Sequence, residues 1–204
     1  MSEPEASGGH SGPCYLDLPL RAFLGLLADG RPAPAGGAAA ALGVALAASL
    51  CAMTARLSGR QLPGAAQLAA DAERLAGLVA PLAQADAEAY RAVIAARRRP
   101  PGPPPGPGRA PGPPADLGAA LSGAADVPMQ IAEIGAQVAA LATRLAARGH
   151  PDLHGDAVTA ALLADAGTRS ACALVRINLS AAGSDERLAR VTHLLAALPP
   201  PPSG

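Results

Sequence analysis

One acidic side chain lies among apolar neighbours at helical spacing and could do chemistry. Asp86 falls within a run that steps by three and four residues, as one face of a helix does, through Leu75, Val79, Leu82, Ala89 and Val93. A buried carboxylate is costly unless it is paired or used, and burial raises its pKa towards the range that suits acid/base work. A bend near Pro81 that turns Asp86 to solvent, or a buried Arg partner, would explain the position equally well.

Two adjacent glycines, Gly36 and Gly37, follow Pro34-Ala35 and open a helix rich in Ala. Glycines at a helix start leave backbone N–H groups open at its positive end, where an anion or the polar edge of a ring can bind. The same residues are also compatible with a plain turn before a helix.

A third candidate pair is Asp156 and Asn178, which lie near the two ends of one predicted helix. Asp156 could bind a ligand or could only cap the helix, which is a common use of Asp at that position. Asn178 could likewise only close the other end.

Composition excludes several kinds of chemistry. All 16 basic residues of the 204 are Arg, so a Schiff-base lysine and a Walker-type phosphate lysine are ruled out. The formal net charge is zero and aromatic residues make up 1%, so neither nucleic acid nor an anionic membrane surface is an expected partner. Three Cys and four His are scattered without metal-ligand spacing, which predicts no metal site and a reducing, cytoplasmic location.

The elements that must position these residues are helices, because 53 of the residues are Ala and no segment alternates with period two. We predict an all-α, single-domain bundle of about six helices over residues 15–198. Residues 1–14 read as a disordered tail, 100–115 as a mobile Pro/Gly-rich loop and 199–204 as a Pro-rich tail. Helices are expected at 16–28, 37–58, 63–98 (bent near Pro81), 117–124, 128–148, 156–181 and 184–198, the last capped by Ser184.

The stretch from Gly36 to Met53 contains 18 residues without a charge, which is long enough to span a membrane. Most of these residues are Ala, Gly and Ser, which insert weakly, and Arg56 and Arg60 follow in the same helical pattern. A buried helix of a soluble protein is therefore favoured over a span. Its small residues would let a second copy approach closely, so we expect a homodimer through small-residue helix faces.

Several segments together, in their order along the chain, resemble a known family. They are PAPAGGAAAALGVALAASLCAMTARLS at 32–58, ADAEAY at 85–90, ADVPMQIAE at 125–133, and GHPDLHGDAVTAALLADA with VRINL between 149 and 179. This set resembles the cyclodeaminase/cyclohydrolase family of folate enzymes, to which the formiminotransferase-cyclodeaminase C-terminal domain belongs. The resemblance runs from about Leu16 to Leu195.

The resemblance implies an all-α homodimer that acts on one-carbon units bound to tetrahydrofolate, without a metal or other cofactor. One family activity releases ammonia from 5-formiminotetrahydrofolate, and another hydrolyses 5,10-methenyltetrahydrofolate to 10-formyltetrahydrofolate. Asp86 matches the family's acid/base aspartate, while Gly36, Gly37, Arg60, Asp156 and Asn178 match positions of the folate site. The sequence holds no separate transferase domain, which favours the cyclohydrolase.

The chain departs from the family pattern at polar positions. Ala35, Ala38, Gly155 and Leu174 replace Gly, Ser, Ser and Asn of the family, and Gln61 replaces the second basic residue after the first long helix. Each lost hydrogen-bonding partner is worth about 0.5–1.5 kcal/mol. A second hypothesis is therefore a family member without catalysis that acts as a folate-binding or protein-interaction module.

Overall fold

The computed structural model describes residues 13–98, 115–180, 184–200 and 202. Residues 1–12 of the predicted tail and nearly all of the predicted loop at 100–115 lie outside these ranges. The described residues form seven α-helices, two short 3-10 turns (Tyr15–Asp17 and Pro151–Leu153) and no strand. The helices are α1 Leu20–Ala28, α2 Gly36–Leu57, α3 Ala65–Val79, α4 Leu82–Arg98, α5 Ala115–Arg148, α6 His154–Asn178 and α7 Glu186–Ala197. The predicted all-α class is confirmed.

Helix α2 lies at the centre of the bundle, with α3, α4, α5 and α6 packed around it. It runs antiparallel to α6, because Gly36 at its start faces Leu174 near the end of α6, and Ser58 just after its end bonds His150 just before α6. With 22 residues it is about 33 Å long, so its two ends are separate environments.

Small residues bring the helices of the core unusually close together. A Cβ atom added at Gly167 of α6 would lie 2.6 Å from Val44 Cγ2 of α2, and one added at Gly135 of α5 would overlap the Thr168 hydroxyl of α6. Ala side chains fill most of the remaining core around α2. The Ala-rich composition therefore specifies helix crossings at a spacing that larger side chains would prevent.

The structure corrects four helix boundaries. The helix expected at 63–98 is two helices, because α3 ends at Val79, α4 starts at Leu82, and Gly64 with φ 79° precedes α3. The helices expected at 117–124 and 128–148 are one, α5, with Pro128 buried inside it. Helix α6 begins at His154, two residues earlier than expected, and the last helix is capped by Asp185, which accepts from the Arg187 N–H.

Two segments, Gly36–Leu57 and Pro151–Asn178, are long and apolar enough to cross a membrane by length and composition alone. In the bundle 61% of the first apolar window is buried against other helices, and 44% of the second. For α2 this burial is what a core helix requires, in agreement with the interpretation from the sequence.

Candidate active site

The Asp86 side chain of α4 rests on the first turn of α2. The Ala38 backbone N–H, one of the four that a helix leaves unbonded at its start, donates to the carboxylate. The contact is so close that a Cβ atom at Gly37 would overlap the carboxylate. Glycine at position 37 is therefore what allows Asp86 to reach the end of α2.

Opposing effects act on the pKa of Asp86. Burial raises this pKa above its ordinary value of 3.8, and the hydrogen bond from Ala38, which lowers it, offsets only part of the rise. Among the described residues no Arg side chain pairs with Asp86. Burial thus favours the protonated form of this carboxyl more than exposure does for a surface Asp, which is the direction that general acid/base work requires.

Asp86 opens onto a cavity of about 240 Å³ where α2 starts, α6 ends, and α4 and α5 pass. Its lining is mainly apolar with a few polar groups, the usual pattern of a small-molecule site. The lining residues are Pro32, Ala35, Gly36, Gly37, Asp86, Tyr90, Ala124, Leu174, Ile177 and Asn178.

Asn178 closes the far wall of the cavity with a specific hydrogen bond. Its Nδ2 donates to the Ala124 carbonyl of α5 at 2.8 Å. A carbonyl can only accept, so the NH2 group is the part of the amide that faces α5. The amide oxygen is then the acceptor that Asn178 can offer to a ligand.

A second cleft, of about 420 Å³, shares Pro32 with the first. Three arginines line it, Arg31, Arg91 and Arg98, together with Ala33, Ile94 and Ala95. Arg31 pairs with Asp29, and Arg91 donates to the Tyr15 hydroxyl, so two of the three guanidinium groups are tethered. Their charge makes this cleft suited to carboxylates.

Four of the six site residues expected from the sequence come together at the cavity: Asp86, Gly36, Gly37 and Asn178. The other two lie at the opposite end of α2 and α6. Arg60 is exposed in the turn after α2, and Asp156 is half-buried in the first turn of α6, about 33 Å from Asn178 along the helix. Because Leu153 is the N-cap residue of α6, Asp156 is not the cap.

Sequence reasoning missed Tyr90, Ile177 and Ala124 as lining residues. Tyr90 was detectable, since it lies one helical turn after Asp86 and therefore on the same face. Ala124 had no signal of its own, because only its backbone carbonyl matters. For metals, the described parts of the chain contain no group of three or more His, Cys, Asp or Glu side chains that could hold an ion.

Known proteins resemble this chain over most of its length. Residues 19–195 match the formiminotransferase-cyclodeaminase family. A methenyltetrahydrofolate cyclohydrolase of Methylorubrum extorquens is 32% identical over 187 residues, covering 87% of this chain and 88% of that protein. The crystal structure of a formiminotetrahydrofolate cyclodeaminase from Thermotoga maritima has the same fold, with a TM-score of 0.75, 24% identity, and coverage of 89% and 88% of the two chains. The chain is therefore a member of the formiminotransferase-cyclodeaminase family.

Proposed function

We propose that the protein is a folate one-carbon enzyme whose leading activity is methenyltetrahydrofolate cyclohydrolase, with formiminotetrahydrofolate cyclodeaminase as the related second activity. The observation that carries the proposal is the Asp86 carboxyl, held on the start of α2 inside a mostly apolar cavity, with a raised pKa. The cyclohydrolase relative, 32% identical over most of both chains, supports this choice of activity.

In the proposed reaction the electrophile is the cationic methenyl carbon between N5 and N10. Water adds to this carbon while the Asp86 carboxylate takes one of its protons. The same carboxyl then protonates N5 as the carbon–N5 bond breaks, and the remaining hydroxyl proton leaves to solvent. The products are 10-formyltetrahydrofolate and one proton. No metal or other cofactor enters this scheme.

The neighbouring arginine-lined cleft supports a folate as the ligand. At about 240 Å³ the Asp86 cavity is smaller than the roughly 300–1,000 Å³ of pockets that enclose a whole drug-sized ligand, so it suits one end of an elongated molecule. The acidic tail would lie against Arg31, Arg91 and Arg98. On this scheme Arg98→Ala raises KM while kcat stays unchanged, and a change confined to kcat contradicts it.

The test is the near-ultraviolet absorbance of methenyltetrahydrofolate in the presence of purified protein. Asp86→Asn keeps the size of the side chain and removes the proton transfer, so turnover should fall by about 10²–10⁴-fold. Glu88→Gln is the matched control, because Glu88 lies on the same helix but is exposed outside the cavity. An Asp86→Asn variant as active as the wild type would remove Asp86 from the mechanism.

The alternative is a family member that binds a folate without turning it over. It is favoured by the cavity lining, in which Ala35 and Leu174 stand where the family pattern has Gly and Asn. The same assay separates the two functions: binding of folate without any change in the methenyl absorbance, in the wild type as in Asp86→Asn, supports the alternative.

We also propose a soluble, cytoplasmic homodimer formed through the exposed side of α2 and α6. Support comes from the groove between them, which is lined by small or apolar residues including Gly43, Ala166 and Ser170. Leu46 and Leu162 are exposed beside it. No atom of the described residues lies within 4 Å of a Cβ atom at Gly43, so Gly43→Leu should leave the subunit interior intact and act on dimerisation. Light scattering that finds a 19.9 kDa monomer for the wild type would contradict the dimer.

An antiparallel pairing of two such faces would also explain why Arg60 and Asp156 match folate-site positions although they lie far from the cavity of their own chain. In one chain these residues lie at the opposite end of the α2–α6 pair from the cavity, as described above. A two-fold axis near Gly43 and Gly167 would bring the far end of one subunit over the cavity of the other. We therefore propose that Arg60 and Asp156 take part in folate binding across the dimer.

A further inference from the structure

Pro128 lies inside α5, where a proline ordinarily weakens a helix. It has no N–H group, so the carbonyl of the residue four positions earlier, Ala124, loses its partner within the helix. The structure shows what replaces that partner, because the Ala124 oxygen accepts from Asn178 Nδ2 at 2.8 Å. Both Ala124 and Asn178 line the Asp86 cavity. The interruption in α5 and the amide at the end of α6 therefore meet at the site.

We propose that Pro128 is a positioning residue of the site, since the carbonyl it leaves open holds the Asn178 amide with its oxygen available to the ligand. An unconstrained Asn can present either its oxygen or its NH2 group, which are nearly the same size. With its NH2 group bound to the carbonyl, Asn178 offers an acceptor. The ligand group it recognises is then an N–H donor or a water molecule.

This orientation is consistent with the other groups of the cavity. Asp86 is a further acceptor side chain there, and the first turn of α2 supplies backbone N–H donors. A test of this proposal by KM rests on the proposed function, whereas a test by NMR of the protein without ligand does not.

The first experiment is a double-mutant cycle of Pro128→Ala and Asn178→Ala, measured by KM and kcat on methenyltetrahydrofolate. Alanine at 128 restores the N–H group, so the Ala124 carbonyl regains its helical partner and Asn178 is released. Pro128→Ala should raise KM about three- to tenfold, the effect of losing one hydrogen bond, while the melting temperature stays equal or rises because the helix loses a proline. In the Asn178→Ala background the same change should have no effect on KM.

A purely structural proline would give the opposite pattern, with a lower melting temperature and the same KM effect in both backgrounds. Either result overturns the proposal. Pro200→Ala is the control, since Pro200 is exposed after the last helix, does not line the cavity and should leave KM unchanged.

The second experiment uses the protein without ligand and reads the Asn178 side-chain NH2 signal by ¹⁵N NMR, assigned by its loss in Asn178→Ala. The wild type should show one pair of shifted signals, and Pro128→Ala should move them towards the values of a free amide. Unchanged signals in Pro128→Ala overturn the proposal even if the enzyme is active. Shifted signals without turnover in any variant leave the positioning role intact and contradict the proposed function instead.

Discussion

The two ends of the α2–α6 pair differ in what a closely packed glycine does there: it leaves room for Asp86 and a cavity at one end, and it closes the packing at the other. At the end where α2 starts, which we call the open end, Gly37 makes room for Asp86, and a cavity remains beside it. At the end where α2 stops, which we call the closed end, the Ser58 hydroxyl accepts from the His150 N–H at 2.8 Å. Gly149 leaves no space there for a Cβ atom, which would lie 2.6 Å from the Leu145 oxygen.

The difference lies in what the released backbone groups bind. At the closed end the Ser58 hydroxyl bonds the backbone between α5 and α6, and Gly149 packs closely against the end of α5. At the open end the Ala38 N–H binds a carboxylate whose pKa is raised, and the Ala124 carbonyl binds the NH2 group of an amide that also lines the cavity. The same helix pair therefore provides a rigid anchor at one end and reactive groups at the other.

The largest effect should come from filling the space that the open end depends on. Gly37→Ala would push the Asp86 carboxylate off α2, so turnover should fall by about 10²-fold or more, as for loss of a general acid/base. Overpacking should also lower the unfolding free energy by about 1–3 kcal/mol. Gly77→Ala is the control, because a Cβ atom there has no neighbour within 4 Å in the part of the chain that the structure describes. Unchanged initial rates in Gly37→Ala would contradict the proposed role of Asp86.

A second test asks whether the far end of one subunit serves the open end of another. Asp156→Asn and Asp86→Asn should each be impaired as homodimers, but a mixture re-formed from unfolded subunits should recover about a quarter of wild-type activity, since half of the dimers then carry one intact site of two. Each variant refolded alone is the control. No recovery, although mixed dimers form, would place Asp156 outside the site.

For the hydrogen bond between Ser58 and His150 at the closed end, the expected effect is on stability alone. Ser58→Ala leaves the His150 N–H without its acceptor and should lower the unfolding free energy by about 1 kcal/mol, with initial rates unchanged at low temperature. Ser49→Ala is matched to it, as Ser49 lies on α2 but is exposed and donates to the Ala45 carbonyl of its own helix. A loss of activity in Ser58→Ala without unfolding would show that this hydrogen bond also shapes the site.

The smallest effect is a dependence of stability on pH, and it distinguishes Asp86 from Asp185. Because burial raises the pKa of Asp86, its contribution is present below the ordinary value of 3.8 and is lost as the pH rises through the raised pKa. Asp185 is the reverse case, since Arg187 lowers its pKa to about 2, and its contribution is lost as the pH falls towards 2.

In urea unfolding between pH 3 and 7, Asp86→Asn should therefore gain stability over the wild type as the pH rises. Asp185→Asn should lose stability relative to the wild type above pH 4, and this deficit should shrink towards pH 3. Equal curves for Asp86→Asn and the wild type at every pH would mean that Asp86 is solvated.

Helix positions were largely predictable from the sequence, because apolar spacing determines which face is buried. The behaviour of the helices at two prolines was not predictable in this way. Pro128 looks like a helix start, yet α5 continues through it because its ring is buried in the bundle and Asn178, distant in sequence, satisfies the open carbonyl. Pro81, in contrast, lies in an exposed turn, and the helix ends there.

For the site, the sequence indicated the residues but not their distances. Asp86 was detectable as a carboxylate among apolar residues, and Gly37 as a glycine at a helix start. That Gly37 serves Asp86 depends on how α4 packs against α2, which local patterns do not contain. Asp156 lies in line with Gly167 and Leu174 on α6, and only the length of that helix separates it from the cavity.

The core around Gly135 and Gly167 loses less side-chain entropy on folding than a core of larger residues, and it tolerates added atoms poorly. Ala and Gly have no rotamers to lose, so this core is ordered without the side-chain entropy cost that Leu or Met would add. Each residue also buries little surface, and stability rests on many backbone contacts at their shortest distance. Substitutions that add atoms are the least tolerated in such a core, because a methyl group added at Gly167 would lie 2.6 Å from Val44 Cγ2 of α2.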